Sequence, residues 1–176
     1  MKVAAVQLTS TGKITENQEL ALAKIREAAG NGARLIVLPE ATAQNFRSGR
    51  LDEQAQTLEG PFATAIQALA EELEVTVVAG MFCPADTVER DGKTINRVTN
   101  TALIAGPGVL GGYDKIHTYD AFDYRESDTV LAGESLVAFD VDDLIVGVAT
   151  CYDIRFPEQF KAVSYTHLTL PTKRIV

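Results

Sequence analysis

The sequence predicts an α/β fold with a mixed sheet, and two observations carry the prediction. Residues 1–82 alternate apolar runs with segments whose apolar residues recur at the helical period. From residue 100 onward, short apolar runs are instead separated by turn residues. Alternating strands and helices are typical of parallel strands with crossover helices, whereas short turns join antiparallel strands. The chain has 176 residues, of which 46% are hydrophobic, so it can form one domain with a sizeable core.

The amino-terminal half supplies the alternating strands and helices. Its predicted elements are a strand at 3–8, a helix at 16–29, a strand at 34–39, a helix at 61–73 and a strand at 75–82. Gly30 ends the first helix, and Pro61 suits the first turn of the second. The strand before Glu40 is apolar along its length and is predicted to be buried on both faces. Because Pro39 cannot continue a ladder, Glu40 lies at the carboxyl-terminal end of that strand.

Two hairpins are predicted in the second half. Their strands are 101–105 with 109–113, and 135–139 with 144–149. Gly106, Pro107 and Gly108 form the turn of the first hairpin, and a run of acidic residues forms the turn of the second. The second hairpin leads directly to Cys151, and Pro157 suits the first turn of a helix that follows it.

Composition and charge exclude several classes of function. The net charge is −8, and no cluster of Lys and Arg is dense enough to follow a phosphate backbone, so a nucleic-acid partner is not expected. Cys83 and Cys151 form no CxxC pair and no Cys/His cluster, so neither a metal site nor a disulfide framework is expected. The absence of a long apolar run and of a signal peptide predicts a cytoplasmic protein without a membrane span.

Three residues at the ends of predicted elements could carry acyl-transfer chemistry. Cys151 lies between a strand and a helix, where a thiol can be held exposed while backbone N–H groups point at its target. Glu40 would be the base, and Lys115 would be the cation that stabilises developing negative charge. Each has a structural alternative: a buried inert cysteine, a glutamate that caps a helix or forms a surface ion pair, and a solvated turn lysine.

The sequence around these three residues resembles the nitrilase superfamily of carbon–nitrogen hydrolases. The resemblance rests on Pro39-Glu40, on Tyr113-Asp-Lys115-Ile-His117 and on Cys151-Tyr-Asp-Ile-Arg-Phe-Pro-Glu158, in that order. It runs from the amino-terminal Val-Ala-Ala-Val-Gln-Leu to about Ala162. The resemblance implies a catalytic triad of glutamate, lysine and cysteine, which fall on Glu40, Lys115 and Cys151.

The same resemblance implies roles for further residues. Glu126 matches the family's second glutamate, which helps to hold the lysine and to position the substrate or the hydrolytic water. The alternative for Glu126 is a loop carboxylate in a charged patch. The backbone N–H of Tyr152 would join the lysine in the oxyanion hole, and Arg155 would orient a polar end of the substrate. His117 would support the site without contacting the substrate.

The activity that the resemblance implies is hydrolysis of a small amide through a cysteine thioester, without a metal or organic cofactor. The products would be ammonia or an amine and a carboxylic acid. Lys115 would favour the Cys151 thiolate and Glu40 would oppose it, which favours deprotonation concerted with attack. Two alternatives remain: a nitrile as the substrate, or a short non-catalytic binding module that keeps the motif.

The resemblance also implies a four-layer αββα sandwich, of which this chain would hold the amino-terminal part. Residues 1–162 would be a partial hydrolase domain, and the complete protein would form a homo-oligomer. Residues 163–176 are expected to be a non-native tail, since no acidic residue follows Glu158 and residues 163–172 resemble a translated sequencing adapter. The alternative for that tail is a genuine final strand.

Overall fold

The computed structural model describes residues 1–169, with side chains as far as Ser164, and it is built around one mixed sheet. The helices are α1 (Ile14–Gly30), α2 (Pro61–Glu72) and α3 (Pro157–Thr169). The strands are β1 (Val3–Ala5), β2 (Leu35–Val37), β3 (Thr76–Arg90), β4 (Lys93–Gly106), β5 (Val109–Asp114), β6 (Asp120–Ala121), β7 (Tyr124–Arg125), β8 (Val130–Leu131), β9 (Ala138–Val141) and β10 (Leu144–Gly147). Short 3-10 helices cover Glu126–Asp128 and Cys151–Arg155.

The main sheet confirms the predicted mixture of parallel and antiparallel pairing. Strands β1, β2 and β3 are parallel neighbours, and α1 and α2 are the crossover helices between them. Strand β4 pairs antiparallel with both β3 and β5, so the predicted hairpin around Pro107 is formed. Strands β2 and β5 therefore run in the same direction and end at the same edge of the sheet.

Helices α1 and α2 cover one face of this sheet. Ile25 of α1 and Ile66 of α2 are fully buried, and they pack in one cluster with Ile36, Val77 and Leu103 of the strands. Burying a side chain of this size stabilises the fold by about 1.5–3 kcal/mol relative to leaving it exposed. This core fixes the strands whose ends carry the candidate site.

The opposite face of the sheet is covered by the predicted antiparallel hairpin β9–β10. Phe139 and Val141 of the hairpin pack with Val78, Ile104 and Tyr113 of the main sheet. Helix α3 contacts β10 in turn. The four layers are thus helices α1 and α2, the main sheet, the hairpin β9–β10 and helix α3. This arrangement confirms the predicted amino-terminal part of an αββα sandwich.

The prediction is wrong at two places in the sheet. Strands β3 and β4 extend far beyond the predicted runs, to a two-residue turn at Asp91 and Gly92. Both turn residues have positive φ, 52° and 68°, as a type I′ turn requires. The outer parts of these strands are mostly exposed and polar, so they lack the apolar pattern of a buried strand. In addition, the predicted burial of β2 on both faces holds at Leu35 and Ile36 but fails at Val37, which is 37% exposed beside a cavity.

The end of α3 falls in the segment expected to be a non-native tail. Since α3 continues to Thr169, the described part of this segment is helical, and the alternative of a final strand is wrong there. Residues 170–176 of the expected tail lie outside the described residues. Within residues 1–169, no helix is both long and apolar enough to cross a membrane.

Candidate active site

The structure brings Glu40, Lys115 and Glu126 into direct contact. The Nζ atom of Lys115 lies 3.1 Å from Oε1 of Glu40 and 2.9 Å from Oε2 of Glu126. The side chains of Lys115 and Glu126 are each 2% exposed, and that of Glu40 is 20% exposed. Lys115 is therefore not a solvated turn residue, and Glu126 is not a solvated loop carboxylate.

The positions of these residues follow from the topology of the main sheet. Glu40 follows β2, and Lys115 follows β5, so both lie at the same edge of the sheet. Glu126 begins the 3-10 helix after β7, and its backbone N–H donates to the carbonyl of Tyr119. The Tyr119 backbone N–H donates in turn to Oε2 of Glu126 at 2.6 Å. The backbone and the carboxylate of Glu126 are thus both held by the backbone of Tyr119.

Cys151 lies where the sequence predicts it, at the turn that follows β10. It is the first residue of a 3-10 helix, and its φ of 48° is a left-handed conformation that non-glycine residues rarely adopt. Thr150 precedes this helix and forms a reciprocal capping box with Asp153. The capping box holds the backbone at Cys151 in this strained conformation. Cys151 is exposed, so it is not a buried, inert cysteine.

Cys151 and Glu40 line one cavity of about 140 Å³ on the hairpin side of the main sheet. Burial raises the pKa of the Cys151 thiol, and the nearby Glu40 charge raises it further. Lys115 lowers the pKa of this thiol by a smaller amount, so the net direction is upward. Glu40 is the carboxylate that lines the same cavity as the thiol. The thiol is consequently protonated at neutral pH and has a proton acceptor beside it.

Lys115 remains a cation despite its burial. Burial by itself lowers the pKa of Lys115, because it penalises the charged form. The hydrogen bond that Lys115 donates to Glu126, and the charges of Glu40 and Glu126, raise the pKa by more, so the net pKa is raised. A buried ammonium at this point can stabilise negative charge that develops on a bound substrate.

Asn100 of β4 belongs to the same cluster and was missed in the sequence. Its Nδ2 atom donates to Oε1 of Glu40 at 2.8 Å and to Oε1 of Glu126 at 3.2 Å. The one signal in the sequence is a polar residue directly before the predicted apolar strand 101–105, which does not reveal its partners. Both carboxylates are therefore held by one amide group as well as by Lys115.

Asp153 is a second residue that the sequence analysis missed, although it lies within the cysteine motif. Its carboxylate is fully buried and accepts hydrogen bonds from the Tyr113 hydroxyl at 2.5 Å and the Thr150 backbone N–H at 2.9 Å. It also accepts from the backbone N–H of His117 at 2.9 Å. Asp153 thus joins the segment that carries Lys115 to the turn that carries Cys151.

The sequence as a whole matches the model of one known family. The model for carbon-nitrogen hydrolases matches residues 2–169. The chain belongs to the carbon-nitrogen hydrolase family.

Curated members of the carbon-nitrogen hydrolase family are similar along most of the chain. A hydrolase of Mycobacterium tuberculosis is 43% identical over 162 residues, which cover 89% of this chain and 54% of the relative. An omega-amidase of Danio rerio is 32% identical, over 89% of this chain and 56% of the relative. A deaminated glutathione amidase of Synechocystis is 35% identical, over 92% of this chain and 61% of the relative. The chain therefore spans little more than half the length of these relatives.

Solved structures of the carbon-nitrogen hydrolase family share the fold. A superfamily member from Xanthomonas campestris aligns with a TM-score of 0.73 at 25% identity, over 89% of this chain and 55% of that chain. A Nesterenkonia amidase of the nitrilase superfamily aligns with a TM-score of 0.75 at 20% identity, over 93% of this chain and 60% of that chain. At 20% identity, the similarity to the Nesterenkonia amidase concerns the fold alone.

The remaining predicted residues of this carbon-nitrogen hydrolase site lie in or beside the cysteine turn. Tyr152 contacts Tyr119 and Phe156 edge to face, with ring centroids 5.1 Å and 5.4 Å apart. The His117 ring stacks on Phe156 and its Nδ1 contacts Asp153 at 2.8 Å, which fits the predicted supporting position. Arg155 is exposed in the same 3-10 helix, and no described hydrogen bond or ion pair joins it to the cluster around Lys115.

The described residues 1–169 contain no group of three or more His, Cys, Asp and Glu residues placed to hold a metal ion. Glu40 and Glu126 are instead bridged by the ammonium of Lys115. The partner of the two carboxylates is therefore the side chain of a lysine.

Replacing Asp153 with alanine should both destabilise the carbon-nitrogen hydrolase fold and disorder the cysteine turn. The change leaves the Tyr113 hydroxyl and two backbone N–H groups without their buried acceptor, which costs about 3–5 kcal/mol in the free energy of unfolding. Denaturant unfolding of the full-length protein would measure the loss. Asp143→Ala, at an exposed turn carboxylate, is the matched control and should change stability by less than about 0.5 kcal/mol. An equal effect of the two changes would contradict the prediction.

Proposed function

We propose that the full-length protein hydrolyses a small amide through a thioester on Cys151. The observation that carries the proposal is that an exposed thiol on a strained turn and a carboxylate line one cavity, while a buried ammonium contacts that carboxylate. A nucleophile, a proton acceptor and a cation for developing charge are the parts that acyl transfer needs. Membership of the carbon-nitrogen hydrolase family supports the same reaction class.

The first step forms the thioester. As the Cys151 sulfur attacks the amide carbon, Glu40 accepts the thiol proton, and the carbonyl electrons move to the oxygen. The raised pKa of the thiol favours proton transfer during attack over a preformed thiolate. Lys115 and the Tyr152 backbone N–H stabilise the oxyanion. Glu40 then gives the proton to the amide nitrogen, the carbon–nitrogen bond breaks, and ammonia or an amine leaves.

The second step releases the acid. Glu40 accepts a proton from a water molecule as the water oxygen attacks the thioester carbon. The tetrahedral oxyanion collapses, the carbon–sulfur bond breaks, and the sulfur recovers the proton from Glu40. Glu126 holds Lys115 in place for both steps and helps to position the water or the substrate, and Arg155 orients a polar end of the substrate. No proton is gained or lost by the site over the cycle.

The relatives support an amide over a nitrile as the substrate. The curated relatives include proteins named as an omega-amidase and as deaminated glutathione amidases. Both names denote amidases. We therefore propose an aliphatic or carbamoyl amide, with a nitrile as the competing outcome of the test.

The test is the release of ammonia and carboxylic acid by the full-length protein from matched panels of amides and nitriles. We expect turnover of at least one amide, and Glu40→Gln should lower kcat by about 10²–10⁴-fold because the proton acceptor is lost. Glu19→Gln, at an exposed glutamate of α1, is the control and should leave kcat unchanged.

Turnover of nitriles alone would replace the amidase proposal with the nitrilase alternative. No turnover of either panel, with Cys151 inert towards alkylating reagents, would favour the binding-module alternative.

A further inference from the structure

Asn100 contacts all three charged residues of the site. Its side-chain amide nitrogen donates to Glu40 and to Glu126, at 2.8 Å and 3.2 Å. Its backbone carbonyl accepts from the backbone N–H of Lys115 at 2.9 Å. Asn100 is 1% exposed, so water does not compete for these hydrogen bonds. One residue of β4 thus joins the end of β2, the end of β5 and the turn that carries Glu126.

The orientation of the Asn100 amide is determined by its two neighbours. Both carboxylate oxygens are acceptors, so the NH₂ group must face them and the amide oxygen must point away. That oxygen is buried, and it has no hydrogen-bond partner among the described residues. A buried acceptor without a partner costs about 1–3 kcal/mol. The hydrogen bonds that the NH₂ group donates to the two carboxylates offset this cost.

Without Asn100, the two carboxylates would have one fewer donor to share. Lys115 would then attract both of them, and Glu40 is the one free to move, because it is 20% exposed whereas Glu126 is 2% exposed and held by the Tyr119 backbone. The Cys151 thiol feels the charge of Glu40 more strongly than that of Lys115, so movement of Glu40 towards Lys115 is expected to weaken its contact with the thiol. The Asn100 N–H group opposes this movement by holding Oε1 of Glu40 from a second direction.

We propose that Asn100 is a positioning residue that keeps Glu40 between Lys115 and Cys151, at the place from which it can transfer protons. The inference rests on the proposed function, since its consequence for turnover depends on Glu40 as the base. It predicts an effect mainly on kcat, because the polar contacts of Asn100 are with Glu40, Glu126 and Lys115, although Asn100 also lines the cavity. It also predicts a change in the thiol itself, which can be measured without any substrate.

The experiment compares the full-length protein with its Asn100→Leu variant, in which leucine keeps the branched shape, has a larger volume and has no donor. With an amide from the panel, kcat should fall about 10–100-fold, as expected for a displaced catalytic group, and KM should change less than about threefold. Asn96→Leu, at an exposed asparagine of the same strand, is the matched control and should change neither constant.

The second measurement is the pH profile of Cys151 alkylation by iodoacetamide. The charged groups that act on this thiol are Glu40, Lys115 and Glu126. If Glu40 moves towards Lys115 in Asn100→Leu, the thiol loses its nearest anion, and the midpoint of the profile should shift to lower pH. Because general loosening of the fold would also expose the thiol and lower its pKa, the shift is assigned to Glu40 only if Asn100→Leu and the Asn96→Leu control unfold at similar denaturant concentrations.

A second variant, Asn100→Asp, keeps the shape and replaces the donor with a third carboxylate. It should lower kcat at least as much as Asn100→Leu, because like charges would then face each other. Unchanged kcat in both variants would overturn the inference, as would a fall in kcat with an unshifted alkylation profile. A shifted profile in a protein that hydrolyses neither panel would support the positioning role and reject the proposed function.

Discussion

Replacing Cys151 with alanine should abolish amide hydrolysis and lower kcat/KM by at least about 10⁴-fold, because the reaction proposed here has no path without the nucleophile. The cavity and the cluster of Glu40, Lys115 and Glu126 remain in this variant, so substrate binding should persist. Steady-state kinetics of the full-length protein and its variant measure the loss. Mass spectrometry of the wild-type protein, quenched during turnover, should show an acyl adduct on the peptide that contains Cys151.

Cys83 provides the control for this experiment. It is the other cysteine of the chain, it is partly buried, and it packs against the core under α1 and α2. Cys83→Ala should retain kcat/KM and the acyl adduct, with a modest loss of stability from the packing change. Activity that survived Cys151→Ala, or an adduct on Cys83, would refute the assignment of the nucleophile.

The pH dependence of alkylation gives an independent test of the same residue. Burial and the Glu40 charge raise the pKa of the Cys151 thiol. Since only the thiolate reacts, the alkylation rate should rise with pH, with a midpoint above the value of about 8.5 for a free cysteine. A midpoint below that value would mean that Lys115 dominates the thiol, and that the enzyme attacks with a preformed thiolate.

The parallel half of the fold could be predicted because its signals are local. The strands before Glu40 and after α2 are short apolar runs, and the helices between them show the 3.6-residue period. The long arms of β3 and β4 could not be predicted in the same way, since their outer residues are exposed and charged. Asp91-Gly92 was the available local signal, because that pair favours a two-residue hairpin turn.

The site was predictable only where a motif marks it. Glu40, Lys115, Glu126 and Cys151 lie in sequence motifs that resemble the family, and the first three meet in the structure. Asn100 lies 60 residues from Glu40 in sequence, and no local pattern reveals that its amide faces a carboxylate. Hydrogen bonds between distant segments depend on how the sheet assembles, which periodicity does not encode.

Gly80 shows how such long-range packing constrains the position of the proposed base. It lies in β3, its backbone N–H donates to the carbonyl of Pro39 at 3.1 Å, and its own carbonyl accepts from Ala43 at 3.0 Å. The segment that carries Glu40 therefore crosses directly over this glycine. A Cβ atom at Gly80 would overlap the backbone carbonyl of Glu40, so the close approach requires the absence of a side chain.

Gly80→Ala should therefore displace Glu40 and destabilise the protein at once. The neighbour is backbone rather than a flexible side chain, so relief requires moving the segment from Pro39 to Ala43, at a cost of about 1–3 kcal/mol or more. A shift of about 1 Å in a catalytic group can lower the rate about 10²-fold.

Gly30→Ala is the control, because a Cβ at Gly30 meets no atom within 4 Å and its backbone lies in α1. We expect that control to retain kcat and to match or exceed the wild-type stability, since alanine favours a helix over glycine. Unfolding curves and kcat for both variants decide the matter: wild-type kcat in Gly80→Ala would show that the position of Glu40 does not depend on its crossing over β3.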